Sequence, residues 1–79
     1  MKIIVRLFAG LQKGLTGNPN EHQAELDVAD GATPADVLNR LDVPLEHARI
    51  ILVNGRRADS DHNLEEGDIL AVFPPLGGG

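Results

Sequence analysis

The sequence predicts an α+β fold in which one helix covers one face of a mixed, four- to five-stranded sheet. Three observations predict it. Apolar, β-branched segments lie near both ends of the chain, one amphipathic segment with a Thr-Pro start signal lies between them, and an Asn-Gly pair marks a tight hairpin. A chain of 79 residues allows one domain with one small core.

Composition narrows the classes of function. The chain has no cysteine, which excludes a disulfide framework, a thiolate nucleophile and a Cys-based metal site, and for so small a domain indicates a cytoplasmic protein. Twelve acidic and seven basic residues give a net charge of −5, so we expect neither nucleic acid nor a membrane surface as a partner. The simpler interpretation is that the acidic excess keeps the protein soluble, and the alternative is that it recognises a basic protein partner.

The N-terminal third predicts two strands. Residues 2–8 are rich in β-branched side chains, which favour a strand. Residues 10–22 hold three glycines, a proline and two asparagines and predict a loop. Residues 23–28 alternate between polar and apolar side chains, and predict a second strand antiparallel to the first.

One helix is predicted in the middle of the chain. Thr33 is a capping residue, Pro34 suits the first helical position, and Asp36 lies near the positive end of the helix dipole. Pro44 ends the helix soon after its apolar stripe, and residues 45–48 predict a further short turn. The stripe consists of Val37, Leu38 and Leu41.

The rest of the chain predicts the remaining strands. Residues 49–53 form a strongly apolar strand, Asn54-Gly55 is the best turn signal, and residues 56–64 return through a short strand. Residues 69–73 form the last strand. This order fits the β-grasp, or ubiquitin-like, arrangement, in which the first and last strands lie side by side and parallel at the sheet centre.

Strand alternation also predicts an apolar patch on the sheet face away from the helix. Such a patch marks a contact surface on many proteins. The alternative is that the two phenylalanines curl into an edge of the core. The patch consists of Ile4, Phe8, Ile69, Ala71 and Phe73.

No set of side chains predicts a self-contained active site. The histidines at 22, 47 and 62 are far apart in sequence, and the acidic segment at 59–62 has no metal-ligand spacing. Ser60 has no evident base to activate it. We therefore expect a protein that is not an enzyme, and that binds no metal and no cofactor of its own.

The last seven residues predict an arm. Two prolines favour an extended backbone, and glycines have no Cβ to block a narrow channel, so the reactive group would be the carboxylate of Gly79. We expect a domain over residues 1–74 and a flexible tail over residues 75–79, with a frayed, functionless end as the alternative. The segment reads Phe73, Pro74, Pro75, Leu76, Gly77, Gly78 and Gly79.

Four short segments carry a resemblance to a known family. They are Leu7-Phe8-Ala9-Gly10, Val53-Asn54-Gly55, Leu64-Glu65-Glu66-Gly67-Asp68 and Phe73-Pro74-Pro75-Leu76-Gly77-Gly78. With them the whole chain resembles the ubiquitin-like sulfur carriers, whose members include the small subunit of molybdopterin synthase and the thiamin-pathway carrier (MoaD-like and ThiS-like). The tail and the Gly-Asp turn are the most specific parts of this resemblance.

The resemblance implies a division of labour. An adenylating enzyme related to ubiquitin-activating enzymes would use ATP to form an acyl-adenylate on the terminal glycine, and sulfur would replace AMP to give a thiocarboxylate. The tail would then donate sulfur inside a synthase, either the large subunit of molybdopterin synthase or thiazole synthase. In this reading Phe8, Arg57 and residues 73–78 contact the partners, which supply the catalytic groups.

Two features depart from the family pattern. The family usually ends in Gly-Gly, whereas this chain ends in three glycines, so either Gly79 is the acceptor or trimming leaves Gly78. The position two after Gly55 is often apolar in molybdopterin-type carriers and is Arg57 here, which would narrow the patch or select a more acidic partner. The Phe-Pro-Pro tail and long first loop favour the molybdopterin type, and the compact helix region favours the thiazole type.

Three functions compete at this point. The leading one is a sulfur carrier for molybdopterin, the precursor of molybdenum and tungsten cofactors, with thiamin thiazole or another sulfur-transfer pathway as its variant. The second is a ubiquitin-like modifier, joined to lysines of other proteins. The third is a β-grasp binding module whose tail has no chemistry.

Deletion of Gly78 and Gly79 tests whether the tail is required for sulfur transfer or for the stability of the fold. We expect it to abolish sulfur transfer and to leave the melting temperature almost unchanged, because glycines at the end of an arm bury no apolar surface. The measurements are sulfur transfer in a reconstituted assay and thermal unfolding. A large loss of stability would show that the tail belongs to the fold.

Overall fold

The computed structural model describes residues 1–12, 15 and 20–75. Within these ranges the elements follow the predicted order, and a mixed sheet with one helix confirms the β-grasp prediction. The elements are β1 (Lys2–Leu7), β2 (Gln23–Asp27), α1 (Pro34–Arg40), a 3-10 turn (Leu45–His47), β3 (Ile50–Val53), β4 (Arg56–Arg57) and β5 (Ile69–Phe73).

The sheet is arranged around its first and last strands. The strand order is β2-β1-β5-β3-β4, with β1 and β5 parallel and the other three pairs antiparallel. In the parallel pair, Val5 lies beside Leu70 and Leu7 beside Val72. This register places the inward side chains of both central strands on one face, as the alternation in the sequence predicted.

The core lies between that face and α1. The side chains of β1 and β5 that point inward are at most 1% exposed. Leu64, in the loop before β5, is 3% exposed and closes the core at one end. The fully buried aliphatic side chains are Ile3, Val5, Leu7, Val37, Leu38, Leu70 and Val72.

Two local signals define α1. Thr33 and Asp36 form a reciprocal capping box, in which the Asp36 amide donates to Thr33 Oγ1 at 3.2 Å and the Thr33 amide donates to Asp36 Oδ2 at 3.0 Å. Such a box satisfies two amides that the helix leaves unpaired, and a cap contributes about 1 kcal/mol. At the other end the Arg40 guanidinium donates to the Asp27 carbonyl, so the end of α1 is held beside β2.

A side-chain clip joins the β3–β4 hairpin to the loop before β5. Asn54 and Gly55 both have positive φ, 53° and 82°, as the predicted two-residue hairpin requires. Asn54 Nδ2 donates to Asp68 Oδ1 at 2.8 Å, and Asn54 Oδ1 accepts from the Ile69 amide at 3.0 Å. Asp68 also accepts from the Glu65 amide at 2.8 Å.

Asp68 is buried, contrary to the expectation from the sequence. The sequence predicts a solvated turn at Glu65, Glu66 and Asp68, yet Asp68 is only 8% exposed. Its carboxylate accepts two hydrogen bonds, one from the Asn54 side chain in the β3–β4 hairpin and one from the Glu65 amide in the loop before β5. Glu65 and Glu66 remain exposed as expected.

The strands are slightly shorter than the sequence suggests. β1 ends at Leu7, because Ala9 and Gly10 both have positive φ, 55° and 100°, and turn the chain away from the sheet. Phe8 therefore lies just past the strand. Within the described ranges, no helix combines the length and the apolar character that crossing a membrane requires.

Two leucines provide a matched test of the core. Leu70→Ala removes a side chain with 0% exposure and should lower the free energy of unfolding by about 2–5 kcal/mol. Leu45→Ala removes one that is 51% exposed and should change it by about 0.5 kcal/mol or less. Urea unfolding curves measure both. Equal losses in the two variants would contradict this assignment of the core.

Candidate protein-docking face

The second face of the sheet is apolar at its centre. We call it the open face, because its side chains are half-buried, whereas those of the inward face are buried. The predicted patch lies here, and β3 adds Ile50 and Leu52, which were not part of that prediction. The half-buried apolar residues of the open face and its rim are Ile4, Phe8, Ile50, Leu52, Ile69, Ala71 and Phe73.

A shallow groove runs along this face. It is lined by residues of β1, β3 and β5, by Phe8 and by the Asn54-Gly55 turn. Apolar surface on an open sheet is suited to contact with another protein. The lining residues are Arg6, Phe8, Leu52, Asn54, Gly55, Ile69, Ala71 and Phe73.

The two phenylalanines of the chain stack on each other at one end of the groove. Their ring centroids are 4.7 Å apart and their planes differ by 5°. Phe8 follows β1 and Phe73 ends β5, and because these strands are parallel their C-terminal ends lie at the same edge of the sheet. A stacked aromatic pair contributes about 0.5–1.5 kcal/mol beyond the burial of its area.

His22 extends the aromatic stack. Its ring lies 5.6 Å from Phe8 with an interplanar angle of 18°. His22 Nδ1 is 3.1 Å from the Leu7 carbonyl oxygen, a contact that is a hydrogen bond when Nδ1 carries the proton. From the sequence alone, His22 falls at the end of the predicted loop over residues 10–22. The predicted antiparallel pairing of the first two strands could have indicated this contact, because the position before β2 lies opposite the end of β1.

Arg57 lies at the outer edge of the same face. The strand register aligns five residues in one row across the sheet, one from each strand. Partners in register point to the same side, so Arg57 shares the open face with Leu52 and Arg6, while its neighbour Arg56 points to the other side. The row is Gln23, Arg6, Ala71, Leu52 and Arg57.

The chain leaves the sheet directly beside the aromatic stack. The Arg49 amide donates to the Phe73 carbonyl at 2.9 Å, and Pro74 and Pro75 follow. Proline has no N–H group, so neither residue can donate a further hydrogen bond to the sheet. Pro74 is half-buried and Pro75 is exposed. The predicted contacts Leu76, Gly77 and Gly78 and the predicted acceptor Gly79 lie outside the described residues.

The remaining candidates of the sequence analysis are dispersed. Across residues 1–12, 15 and 20–75, no group of three or more His, Cys, Asp or Glu side chains is placed to hold a metal ion. His22 lies in the aromatic stack, whereas His47 and His62 are exposed in the 3-10 turn and in the loop after β4.

Comparisons with known proteins agree with this geometry. A protein-family model described as Mut7-C ubiquitin matches residues 1–76. A search of curated proteins finds no match. Solved structures of three small proteins superpose over nearly the whole chain.

Two of these proteins are from Haloferax volcanii. The HVO 2177 protein is 28% identical, with a TM-score of 0.77 over 100% of this chain and 87% of its own. Small archaeal modifier protein 1 is 28% identical, with a TM-score of 0.73 over 95% and 98%. A Pyrococcus furiosus protein provisionally assigned as molybdopterin converting factor subunit 1 is 26% identical, with a TM-score of 0.69 over 96% and 99%.

A double-mutant cycle tests the aromatic stack. We expect Phe8→Leu and Phe73→Leu to be coupled by about 0.5–1.5 kcal/mol in the free energy of unfolding, because either change alone removes the ring contact. Phe8→Leu combined with Leu45→Ala is the control and should be additive. Denaturant unfolding of the single and double variants measures the coupling. Additive behaviour of the two phenylalanines would contradict a direct stack.

Proposed function

The chain belongs to the Mut7-C ubiquitin family, and from this premise we propose that it is a sulfur carrier, a ubiquitin-like protein whose C-terminal glycine is converted to a thiocarboxylate. One observation carries the proposal. An apolar face suited to docking ends in the Phe8–Phe73 stack, and the chain passes from that stack straight into Pro74 and Pro75. A partner that holds the open face would therefore receive the segment that follows.

In the proposed chemistry, this chain contributes its terminal carboxylate and the partners contribute the catalytic groups. An adenylating partner would join the terminal carboxylate to AMP from ATP with release of pyrophosphate, and a sulfur nucleophile would then displace AMP. Glycine at the reacting position leaves the carbonyl open to attack, because it has no side chain. Gly79 would be the acceptor, or Gly78 after trimming. The domain itself would bind no cofactor, and ATP would be used by the activating partner.

The contacts with the partner follow from the position of each residue. Phe8 and Phe73 would fill an apolar site, and Arg57 would meet polar groups at the outer edge of the open face. Two prolines stiffen the start of the arm, which favours extension over collapse onto the domain. In this proposal Leu76, Gly77 and Gly78 pass through the channel that leads to the catalytic groups of the partner.

We propose molybdopterin synthesis as the pathway that receives the sulfur. The support is the likeness to the Pyrococcus furiosus protein assigned to a molybdopterin converting factor, together with the Phe-Pro-Pro segment. The accepting partner would then be the large subunit of the synthase, and a thiazole synthase would take its place in a thiamin pathway. In either case the carrier is a protein without catalytic groups of its own.

A second candidate function has support of the same kind. The likeness to small archaeal modifier protein 1 from Haloferax volcanii favours attachment of the activated glycine to lysines of other proteins. The acyl-adenylate is common to both functions, so they differ only in the nucleophile that follows. Isopeptide-linked remnants of this tail on cellular proteins would favour the modifier.

The intact mass of the protein from its native host tests the carrier proposal. We expect a fraction whose mass has increased by replacement of one oxygen with sulfur, and the unmodified mass reports whether Gly79 is kept. The control is the variant without Gly78 and Gly79, which should show no increase. A full-length mass that stays unchanged after incubation with ATP, a sulfur donor and the host's adenylating enzyme would contradict the proposal.

A further inference from the structure

Among the described residues, the row that crosses the open face holds two arginines and no acidic residue. In the described ranges the ion pairs are those of the Met1 amine with Asp30 and of Lys2 with Glu25, at 3.7 and 3.6 Å, so Arg6 and Arg57 belong to neither. Glu25 pairs with Ile4 in the strand register, and Glu65 and Asp68 line a separate cavity together with Arg57. Lys2 offsets the charge of Glu25. In a chain of net charge −5, the row is a local reversal of sign.

The two arginines bracket the apolar centre of the face. They belong to the row described above, with Ala71 and Leu52 between them. Arg6 lies on β1 and Arg57 on β4, three strand spacings apart, which is about 14 Å. An extended segment rises about 3.3 Å per residue, so four residues of such a segment span nearly this distance.

We propose that this row binds an extended acidic segment of the protein partner, in which two acidic residues four positions apart flank a central aliphatic residue. In an extended chain, residues at i, i+2 and i+4 point to the same side. The two carboxylates then meet Arg6 and Arg57 while the aliphatic side chain lies on Ala71 and Leu52. The inference rests on the proposed function, because it takes the open face as the docking surface.

The guanidinium groups suit this role. Arg6 Nε donates to Gln23 Oε1 at 2.8 Å, which holds the head group in place and leaves its two terminal nitrogens to form paired bonds with a carboxylate. Arg57 is exposed on a strand of two residues. Paired charges at the edge of a contact add selectivity for one partner over another more than they add affinity.

Charge and shape favour a protein over a phosphate polymer. A nucleic acid requires a run of basic contacts along its backbone, and an anionic membrane requires a basic cluster. Here two arginines are separated by an aliphatic centre in a chain of net charge −5. The surface therefore matches alternating acidic and apolar side chains.

Nuclear magnetic resonance titration of the full ¹⁵N-labelled chain tests the proposal. The probe is the blocked peptide Gly-Glu-Thr-Leu-Thr-Glu-Gly, whose threonines favour an extended backbone. We expect saturable shifts at the amides of Arg6, Leu52, Arg57 and Ala71. Peptides with Gln in place of both Glu residues, or with one Thr removed, should bind more weakly by about fivefold or more.

Neighbouring arginines provide the matched control. Arg6→Gln and Arg57→Gln should each weaken binding of the peptide by about two- to fivefold, whereas Arg56→Gln makes the same charge change on the other side of β4 and should have less effect than either. All three side chains are exposed, and thermal unfolding checks that the variants remain folded. Equal effects of Arg56→Gln and Arg57→Gln would overturn the proposal.

Other occupants give distinct results. Tighter binding to phosphatidylserine vesicles or to single-stranded DNA than to the peptide, with the same dependence on Arg6 and Arg57, would overturn a protein partner. Self-association that depends on Arg6 and Arg57 and that prevents binding of the peptide would assign the face to a second copy of this chain and overturn the proposal. A lack of saturable shifts would also overturn the proposal.

The experiment separates this inference from the proposed function. The variant without Gly78 and Gly79 should bind the peptide as tightly as the full chain, because the row lies on the domain. Peptide binding without formation of a thiocarboxylate would therefore reject the sulfur carrier and keep the surface. Formation of a thiocarboxylate without peptide binding would reject the binding of an acidic segment and keep the sulfur carrier.

Discussion

The parallel pairing of β1 with β5 is the constraint on which the rest of the molecule depends. It joins segments near the two ends of the chain at the centre of the sheet, with Ile4 beside Ile69 and Leu7 beside Val72. β2 and β3 then add to the two outer edges of this pair. Because parallel strands end at the same edge, the pairing also brings Phe8 and Phe73 together beside the point where the chain leaves the sheet.

The same two strands carry buried side chains on one face and half-buried side chains on the other. Their inward side chains are buried against α1, whereas their outward side chains are half-buried and line the groove. Side chains on the open face can therefore change with little effect on the core. Arg6 therefore lies on a face of β1 that is separate from the inward aliphatic residues.

A second contact determines the outer edge of the open face. The Asn54–Asp68 hydrogen bond joins the β3–β4 hairpin to the loop that enters β5, and the Ile69 amide is bound to the same asparagine. β4 is only two residues long, so the hairpin depends on this clip as well as on its strand pairing. The position of Arg57 relative to the groove follows from the clip.

Local signals in the sequence determined the elements and their faces. Thr33 and Pro34 predicted the start of α1, Asn54-Gly55 predicted the hairpin, and alternation in residues 2–8 and 69–73 separated core from open face. These features depend on neighbours along the chain, where turn chemistry and side-chain period act. Tertiary structure alone decided the burial of Asp68 and the row that aligns Arg6 with Arg57. The first depends on a side-chain contact with Asn54 and the second on the register between strands distant in sequence, and no local pattern specifies either.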